Sequence, residues 1–217
     1  MTARLVVFDL DGTLVDSKRD LADAANALIA ERGGMPLTED QVAGMVGEGA
    51  ALLVRRALRA AGIDPDLRGA LARFLELYDE RVLVHTAAYD GIEEVLATLA
   101  PRVPMAVLTN KPTRATERIL SGLGLREHFR DVIGGDTPLG RKPDPAGMQE
   151  LIARAGATPG TTWLVGDSRV DLDTARRAGT RICLARYGFG YRFEARDFDG
   201  REVFVDTPAQ LLSVLTA

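Results

Sequence analysis

Asp9 and Asp11, in the stretch VVFDLDGTLVDS at residues 6–17, put two carboxylates two positions apart directly after an apolar run. An extended chain would hold them on one side of a strand, about 7 Å apart. Two anions that close in a buried place repel, so they need a cation, a shared proton or a division of labour. Other polar groups close apolar runs in the same manner. Thr109 and Asn110 end VPMAVLTN (103–110), and Asp167 ends TTWLVGD (161–167) with Asp171 four residues on. Lys142 stands in GRKPDP (140–145). Taken singly, each has an ordinary structural explanation: a solvated turn, a helix cap, an exposed loop lysine. Taken together, four carboxylates, a hydroxyl, an amide and an ammonium make a hard-cation site with positive help for an anion. Oxygen-only donors favour Mg²⁺ over softer metals. Phosphoryl transfer needs this equipment. Charge gathers on the equatorial oxygens, where Mg²⁺, Lys142, Thr109 and loop amides stabilise it, while one carboxylate attacks in line and its neighbour handles protons.

Elements that could position these groups are legible in the hydrophobic pattern. RLVVFD (4–9), VPMAVLTN, TTWLVGD and TRICLA (180–185) are short apolar runs without a helical period, and DVIGGD (131–136) is a weaker one, so each is expected to be a strand. Between them lie helical periods at Ile92, Val95, Leu96 and Leu99, at Met148, Leu151, Ile152 and Ala155, and at Leu172, Ala175 and Ala178. Asp144 before Pro145 reads as a helix start, and Gly156 and Gly179 as helix stops. Strands alternating with helices predict an α/β fold, a Rossmann-like parallel sheet with helices on both faces. In such sheets ligands bind at the carboxyl ends of strands, where residues distant in sequence converge. The segment 17–86 differs. Leu21, Ala24, Ala25, Leu28 and Ile29, then Leu67, Leu71, Phe74, Leu75, Tyr78 and Val82, repeat at helical spacing with no buried-strand pattern among them. The expected organisation is a core of residues 1–16 and 87–217, with an all-helical cap over 17–86 inserted after the first strand.

Composition narrows the class. The 217 residues are 46% hydrophobic and 27% charged, as in ordinary soluble globular proteins, and the length suits one core domain with an inserted subdomain. A net charge of −4 gives no broad basic footprint, so nucleic acid is not an expected partner, while a small phosphate ester needs only a local positive site. The single cysteine, Cys183, lies in an apolar run and reads as a structural thiol in a reducing compartment; two histidines, His85 and His128, are too few for a histidine-rich zinc site. No apolar run approaches a membrane span of roughly 18 residues. A cytoplasmic protein, acting as monomer or homodimer without membrane attachment, is expected.

The motifs in this order closely resemble those of the haloacid dehalogenase-like hydrolase superfamily, in particular its phosphoglycolate phosphatase-like branch: DLDGT at 9–13, the threonine of VLTN, Lys142, and GDSRVD at 166–171. The segments DLADAANAL and VGEGAALLVRRAL are similar to the cap of that branch, so the likeness spans nearly the whole chain. The resemblance implies that Asp9 is the nucleophile forming an aspartyl-phosphate, and that Asp11 is the general acid that protonates the leaving alcohol and then activates water. It implies Mg²⁺ held by Asp9, the backbone carbonyl of Asp11, and Asp167, with Asp171 supporting. Thr109 and Lys142 would hold the phosphoryl oxygens, helped by amides at Gly12 and Asn110. The cap would close to exclude water and choose the substrate.

Asp11 argues against dehalogenation, since a departing halide needs no proton and a departing alcohol does. Within the branch, 2-phosphoglycolate is the leading substrate; a phosphomutase of the β-phosphoglucomutase type, a pyrophosphatase and an amino-sugar phosphate phosphatase fit the same motifs. A signalling receiver domain shares an acid pair, a threonine and a lysine, but runs to about 120 residues with a different order and no helical insertion. A catalytically silent binding protein on the same fold is the remaining alternative. In the cap turn VGEGA, Glu48 would repel a dianion unless it points away or pairs with Arg55 or Lys18. Arg55, Lys18 and the backbone from Gly47 to Gly49 are the expected receptors for a substrate carboxylate. The aromatic, Gly-rich segment 187–200 is expected to be a loop with a structural role.

Overall fold

The computed structural model describes residues 3–216. The chain runs β1 (Leu5–Phe8), β2 (Val15–Asp16), α1 (Lys18–Ala30), α2 (Glu39–Ala43), α3 (Ala50–Ala60), α4 (Ala70–Asp79), β3 (Ala87–Ala88) and α5 (Ile92–Leu99). It continues through β4 (Met105–Leu108), α6 (Thr113–Gly122), β5 (Asp131–Ile133), α7 (Ala146–Ala155), β6 (Thr162–Gly166), α8 (Arg169–Ala178), β7 (Arg181–Ala185), β8 (Val203–Val205) and α9 (Gln210–Leu215). Six strands form one parallel sheet in the order β5-β4-β1-β6-β7-β8.

Side chains of successive strand residues alternate between the two faces, and the two apolar layers follow that alternation. From β1, Val6 and Phe8 join Val107, Trp163, Val165 and Cys183 under α5, α6 and α9, while Leu5 and Val7 join Leu108, Leu164 and Leu184 under α7 and α8. Burial on both faces is why the strands read as continuous apolar runs. Cys183 is a free, buried thiol, and burial pushes its pKa up to about 12. Among the described residues no helix is long and apolar enough to cross a membrane.

The insertion between β2 and β3 contains four helices and no strand. Leu28, Leu53, Ala57, Leu58, Phe74 and Leu77 fill its interior, and the Phe74 and Tyr78 rings stack with centroids 5.9 Å apart. At its root, β2 and β3 pair antiparallel, Val15 with Ala88 and Asp16 with Ala87. Beside this ribbon the fully buried Asp20 carboxylate accepts from His85 N (3.0 Å), Thr86 N (2.8 Å) and Thr86 Oγ1 (2.7 Å). That one side chain ties the outgoing helix to the returning chain.

Several local expectations need correction. β1 ends at Phe8, so Asp9 and Asp11 do not share a strand face: Gly12 takes φ +82° and the Leu10 carbonyl accepts from the Thr13, Leu14 and Val15 amides, which curls the chain into a loop. The helix after Pro145 begins at Ala146, with the Asp144 carboxylate accepting from its amide at 2.9 Å. β5 stops at Ile133, and the chain beyond it turns against the β4–α6 loop so closely that a Cβ on Gly135 would come within 2.4 Å of the Asn110 carbonyl. The sequence reading passed over α6, α9 and the edge strand β8.

Candidate active site

β1 lies between β4 and β6, and the chain moves outward from it on both sides, so the crevice at the carboxyl ends of these three strands is where such sheets bind ligands. Asp9 follows β1 directly, Thr109 follows β4, and Asp167 follows β6. All three are buried. Asp171 stands in the first turn of α8, where it forms a capping box with Ser168: its Oδ2 accepts from Ser168 N at 3.0 Å and Ser168 Oγ at 2.5 Å. Its other oxygen faces Lys142. The Lys142 ammonium bridges Asp171 Oδ1 (2.6 Å) and Asp9 Oδ1 (2.8 Å), fully enclosed. Burial opposes the charge on Lys142, but Asp171 and Asp9 outweigh it and hold its pKa above the ordinary lysine value.

Ligand oxygens of Asp9, Asp167 and Asp171 lie within 4.8 Å of one another. Burial, reinforced by Asp171, pushes Asp9 from its ordinary 3.8 up to about 7 against the pull of Lys142. Burial together with Asp171 and Asp9 raises Asp167 well above its usual range, although the Gly190 amide donates to its Oδ2 at 2.7 Å. With Asp11 included, two enclosed ammonium groups face four carboxylates, leaving a formal charge of −2. A divalent cation offsets that charge, and oxygen-only donors suit a hard one. The residues fit such an ion. Gly12 is required here: a Cβ on it would fall 1.9 Å from Asp167 Oδ2, and its φ of +82° is one that side-chain-bearing residues rarely adopt.

Asp11 sits one step further out, toward the helical insertion. Ser17 Oγ donates to its Oδ1 at 2.5 Å, and the Lys111 ammonium meets both carboxylate oxygens at 2.9 Å. Lys111 is enclosed, with its Nζ 4.7 Å from the Tyr78 ring centroid. A cavity opens between these groups and the insertion; its floor includes Asp9, Asp11, Thr109, Lys111 and Asp167, and its far wall includes Leu21, Val46, Leu53, Phe74 and Tyr78. Buried carboxylates, two enclosed ammonium groups and an apolar wall around one cavity are parts that a water-excluding group-transfer site requires.

The sequence profile of the haloacid dehalogenase-like hydrolases matches residues 6–185, a span that contains all of these polar side chains. The chain belongs to that family. It is 42% identical over 194 residues to the phosphoglycolate phosphatase of Rhodospirillum rubrum, covering 86% of this chain and 80% of the relative. It is 39% identical to that of Pseudomonas putida, covering 99% and 78%. Among solved structures, a predicted phosphoglycolate phosphatase from Haemophilus somnus superposes with a TM-score of 0.91 at 30% identity, covering 99% of this chain and 98% of that one. This haloacid dehalogenase-like hydrolase therefore sits in the phosphoglycolate phosphatase-like branch.

Not every expected residue reaches the site of this hydrolase. Arg55 does not: its side chain is 51% exposed and pairs with Asp66 at 3.0 Å, because Leu53, Val54, Ala57 and Leu58 form the inward stripe of α3. Glu48 points away from the cavity and pairs with Arg56 at 2.5 Å, not with Arg55 or Lys18; Lys18 instead meets Asp16 at 3.1 Å. Gly47 lines the cavity, and its carbonyl accepts from Asn110 Nδ2 at 2.9 Å. The same amide donates to the Lys142 carbonyl at 2.9 Å, so the Asn110 side chain fastens the insertion to the Lys142 loop. The segment 187–200 is a loop but not merely structural: Phe189 and Gly190 line the cavity, Gly190 holds Asp167, and Tyr187 donates to the Thr13 carbonyl at 2.9 Å. Lys111 was missed. Its position next to Thr109 and Asn110 at the end of an apolar run was the available signal.

Proposed function

We propose that this hydrolase is a Mg²⁺-dependent phosphomonoesterase that works through phosphorylation of Asp9, with 2-phosphoglycolate as its first substrate and the cytoplasm as its compartment. The observation that carries the reading is the enclosed, charge-deficient cluster of Asp9, Asp167, Asp171 and Lys142 opening on a cavity where Asp11 faces the incoming group. The names of the relatives supply the substrate, and the lone buried thiol suits a reducing compartment.

Asp9 and Asp167, with the backbone carbonyl of Asp11 and support from Asp171, would hold the metal. Bound there, Mg²⁺ would neutralise the non-bridging oxygens of the phosphoryl group as it transfers. Lys142 keeps Asp9 aimed and stabilises charge beside it, with its own ammonium fixed by Asp171. Thr109 Oγ1 and the amides at Gly12 and Asn110 bind phosphoryl oxygens. Asp9 attacks phosphorus as the ester oxygen leaves, and Asp11 gives that oxygen a proton. Asp11 then takes a proton from the water that opens the acyl phosphate, which restores Asp9 and releases phosphate. The helical insertion acts as a cap, with Asn110 latching it through Gly47 and its apolar wall keeping bulk water from the acyl phosphate.

The test is phosphate release from a panel of phospho-acids, sugar phosphates, nucleotides and pyrophosphate, with Mg²⁺ and with chelator. Phosphoglycolate should rank first, phosphate should appear in step with ester lost, and chelator should abolish turnover. A sugar phosphate clearly preferred, or isomerised without phosphate release, would overturn the substrate assignment. Full activity in chelator would overturn the metal role.

A further inference from the structure

The cavity has a charge asymmetry that the phosphoryl chemistry leaves unused. Its cap-side lining, including Leu21, Val46, Leu53 and Phe74, carries no charged side chain among the described residues. On the core side, Lys111 is the single cation among the lining residues, since Lys142 lies behind Asp9 and Asp171. An ammonium has three donors. Asp11 engages Lys111 Nζ through two oxygens, each at 2.9 Å, which leaves donor capacity toward the cavity. Directly beside it, Tyr78 is 3% exposed and lines the cavity; Lys111 is the polar group next to its hydroxyl, and an ammonium can only donate, so the hydroxyl proton has no acceptor among the described residues. A buried hydroxyl proton without an acceptor is costly, so one carried by a residue that lines a ligand cavity marks where a polar ligand atom would complete the site.

We infer that Lys111 and the Tyr78 hydroxyl form the receptor for a carboxylate on the leaving group, so that the enzyme selects short phosphorylated hydroxy acids over neutral esters of the same size. This inference rests on the phosphomonoesterase reading and deepens it. The phosphoryl group sits against Asp9 and Thr109; the acid end reaches Lys111 and Tyr78, one bond network further out, and Asp11 stands between the two at the bridging oxygen. A carboxylate fits this pair because it can accept from an ammonium and a hydroxyl at once. A sugar does not, because the apolar wall offers its several hydroxyls no partners and burying them unpaired is unfavourable. Lys111 and Tyr78 thus replace Arg55 as the residues that read the substrate, and the cap contributes one hydroxyl on an otherwise apolar surface.

The experiment uses a matched pair of ligands, 2-phosphoglycolate and ethyl phosphate, which differ chiefly in the carboxylate. Equilibrium binding to the full-length Asp9→Asn protein in Mg²⁺ should show phosphoglycolate at least about tenfold tighter, as a charge-assisted contact provides. Adding Lys111→Met should erase that preference while ethyl phosphate binding stays within a few-fold. Tyr78→Phe, which removes one oxygen and keeps the stacked ring, should reduce the preference several-fold even if Lys111→Met fails to fold. In the Asp9-containing protein, Tyr78→Phe should raise KM for phosphoglycolate with little change for ethyl phosphate. Equal binding of the two ligands to the Asp9→Asn protein, or equal losses for both in the Tyr78→Phe variant, would overturn the inference even if ethyl phosphate were hydrolysed normally. Conversely, a preference abolished by these substitutions in a protein that hydrolyses no ester would uphold the carboxylate site and sink the phosphatase reading instead.

Discussion

Chelator-treated protein should lose stability as the pH rises from about 4 to about 7, and Mg²⁺ should return it. Asp9 titrates near its ordinary 3.8 when the chain is unfolded, but burial and Asp171 raise it to about 7 in the folded state. Between those values the folded protein holds a proton that the unfolded chain has released, so the stabilisation is fully present at about pH 4 and is lost as pH climbs through the folded value. One pKa step corresponds to about 1.4 kcal/mol, so Asp9 alone accounts for a loss of roughly 4 kcal/mol across this interval. Asp167 shifts in the same direction and adds to it. The carboxylates held below their ordinary range, Glu31, Asp136, Asp197 and Asp199, act oppositely, but only until their unfolded forms are fully ionised, at about pH 5.5, so they blunt the lower end of the interval and leave its upper part to Asp9 and Asp167. Mg²⁺ displaces these protons, so its stabilising effect should grow with pH, reaching about 2.7 kcal/mol at a hundredfold excess over its dissociation constant. Urea unfolding followed at several pH values, with and without Mg²⁺, reads both effects, provided the m-value stays constant. Asp9→Asn should flatten most of the slope. A stability in chelator that is level or rising from about pH 5 to 7 would refute the argument that burial leaves this cluster short of positive charge.

Further outcomes follow from single side chains. Asp11→Asn should slow hydrolysis of an alkyl phosphate by about two to four orders of magnitude, the range of general acid–base catalysis, and of para-nitrophenyl phosphate much less; equal losses would remove Asp11 as the acid for the leaving group. Gly12→Ala forces a side chain onto Asp167, so Mg²⁺ affinity measured by calorimetry should fall at least about tenfold, and an unchanged affinity would contradict the placement of Asp167. Asp20→Ala strands the His85 and Thr86 amides and the Thr86 hydroxyl, which should cost about 3 to 5 kcal/mol in urea unfolding; a loss below about 1 kcal/mol would show that the root of the insertion is held by other contacts.

The groups whose meaning is local were legible before any coordinates. Asp9, Thr109 and Asp167 each close an apolar run, and a buried parallel strand announces its carboxyl end by that change of polarity. What could not be read were pairings set by tertiary placement. Lys111 acquires its role from Asp11, a hundred positions earlier, and Gly190 from Asp167, twenty-three positions earlier. The misplacement of Arg55 was avoidable. Leu53, Val54, Ala57 and Leu58 define the inward stripe of α3 at 3.6 residues per turn, and position 55 falls on the opposite side. The phase of the helix, applied to the charged residue as well as to the apolar ones, would have excluded it. Glu48 depended on a contact eight residues along, with Arg56, in a turn whose two positive-φ glycines follow no periodic rule.

The most direct measurement of the central claim is covalent trapping. Protein in Mg²⁺ is mixed with phosphoglycolate, quenched in acid within one turnover, digested and analysed by mass spectrometry. A phosphoryl group on the peptide carrying Asp9, removed by hydroxylamine as an acyl phosphate is and absent from the Asp9→Asn protein, is the predicted result. It should accumulate in Asp11→Asn when a good leaving group is used, because the second step then lacks its base. Phosphate released in the first turnover with no phosphorylated Asp9 at any quench time, or a phosphoryl group found on another residue, would contradict the account.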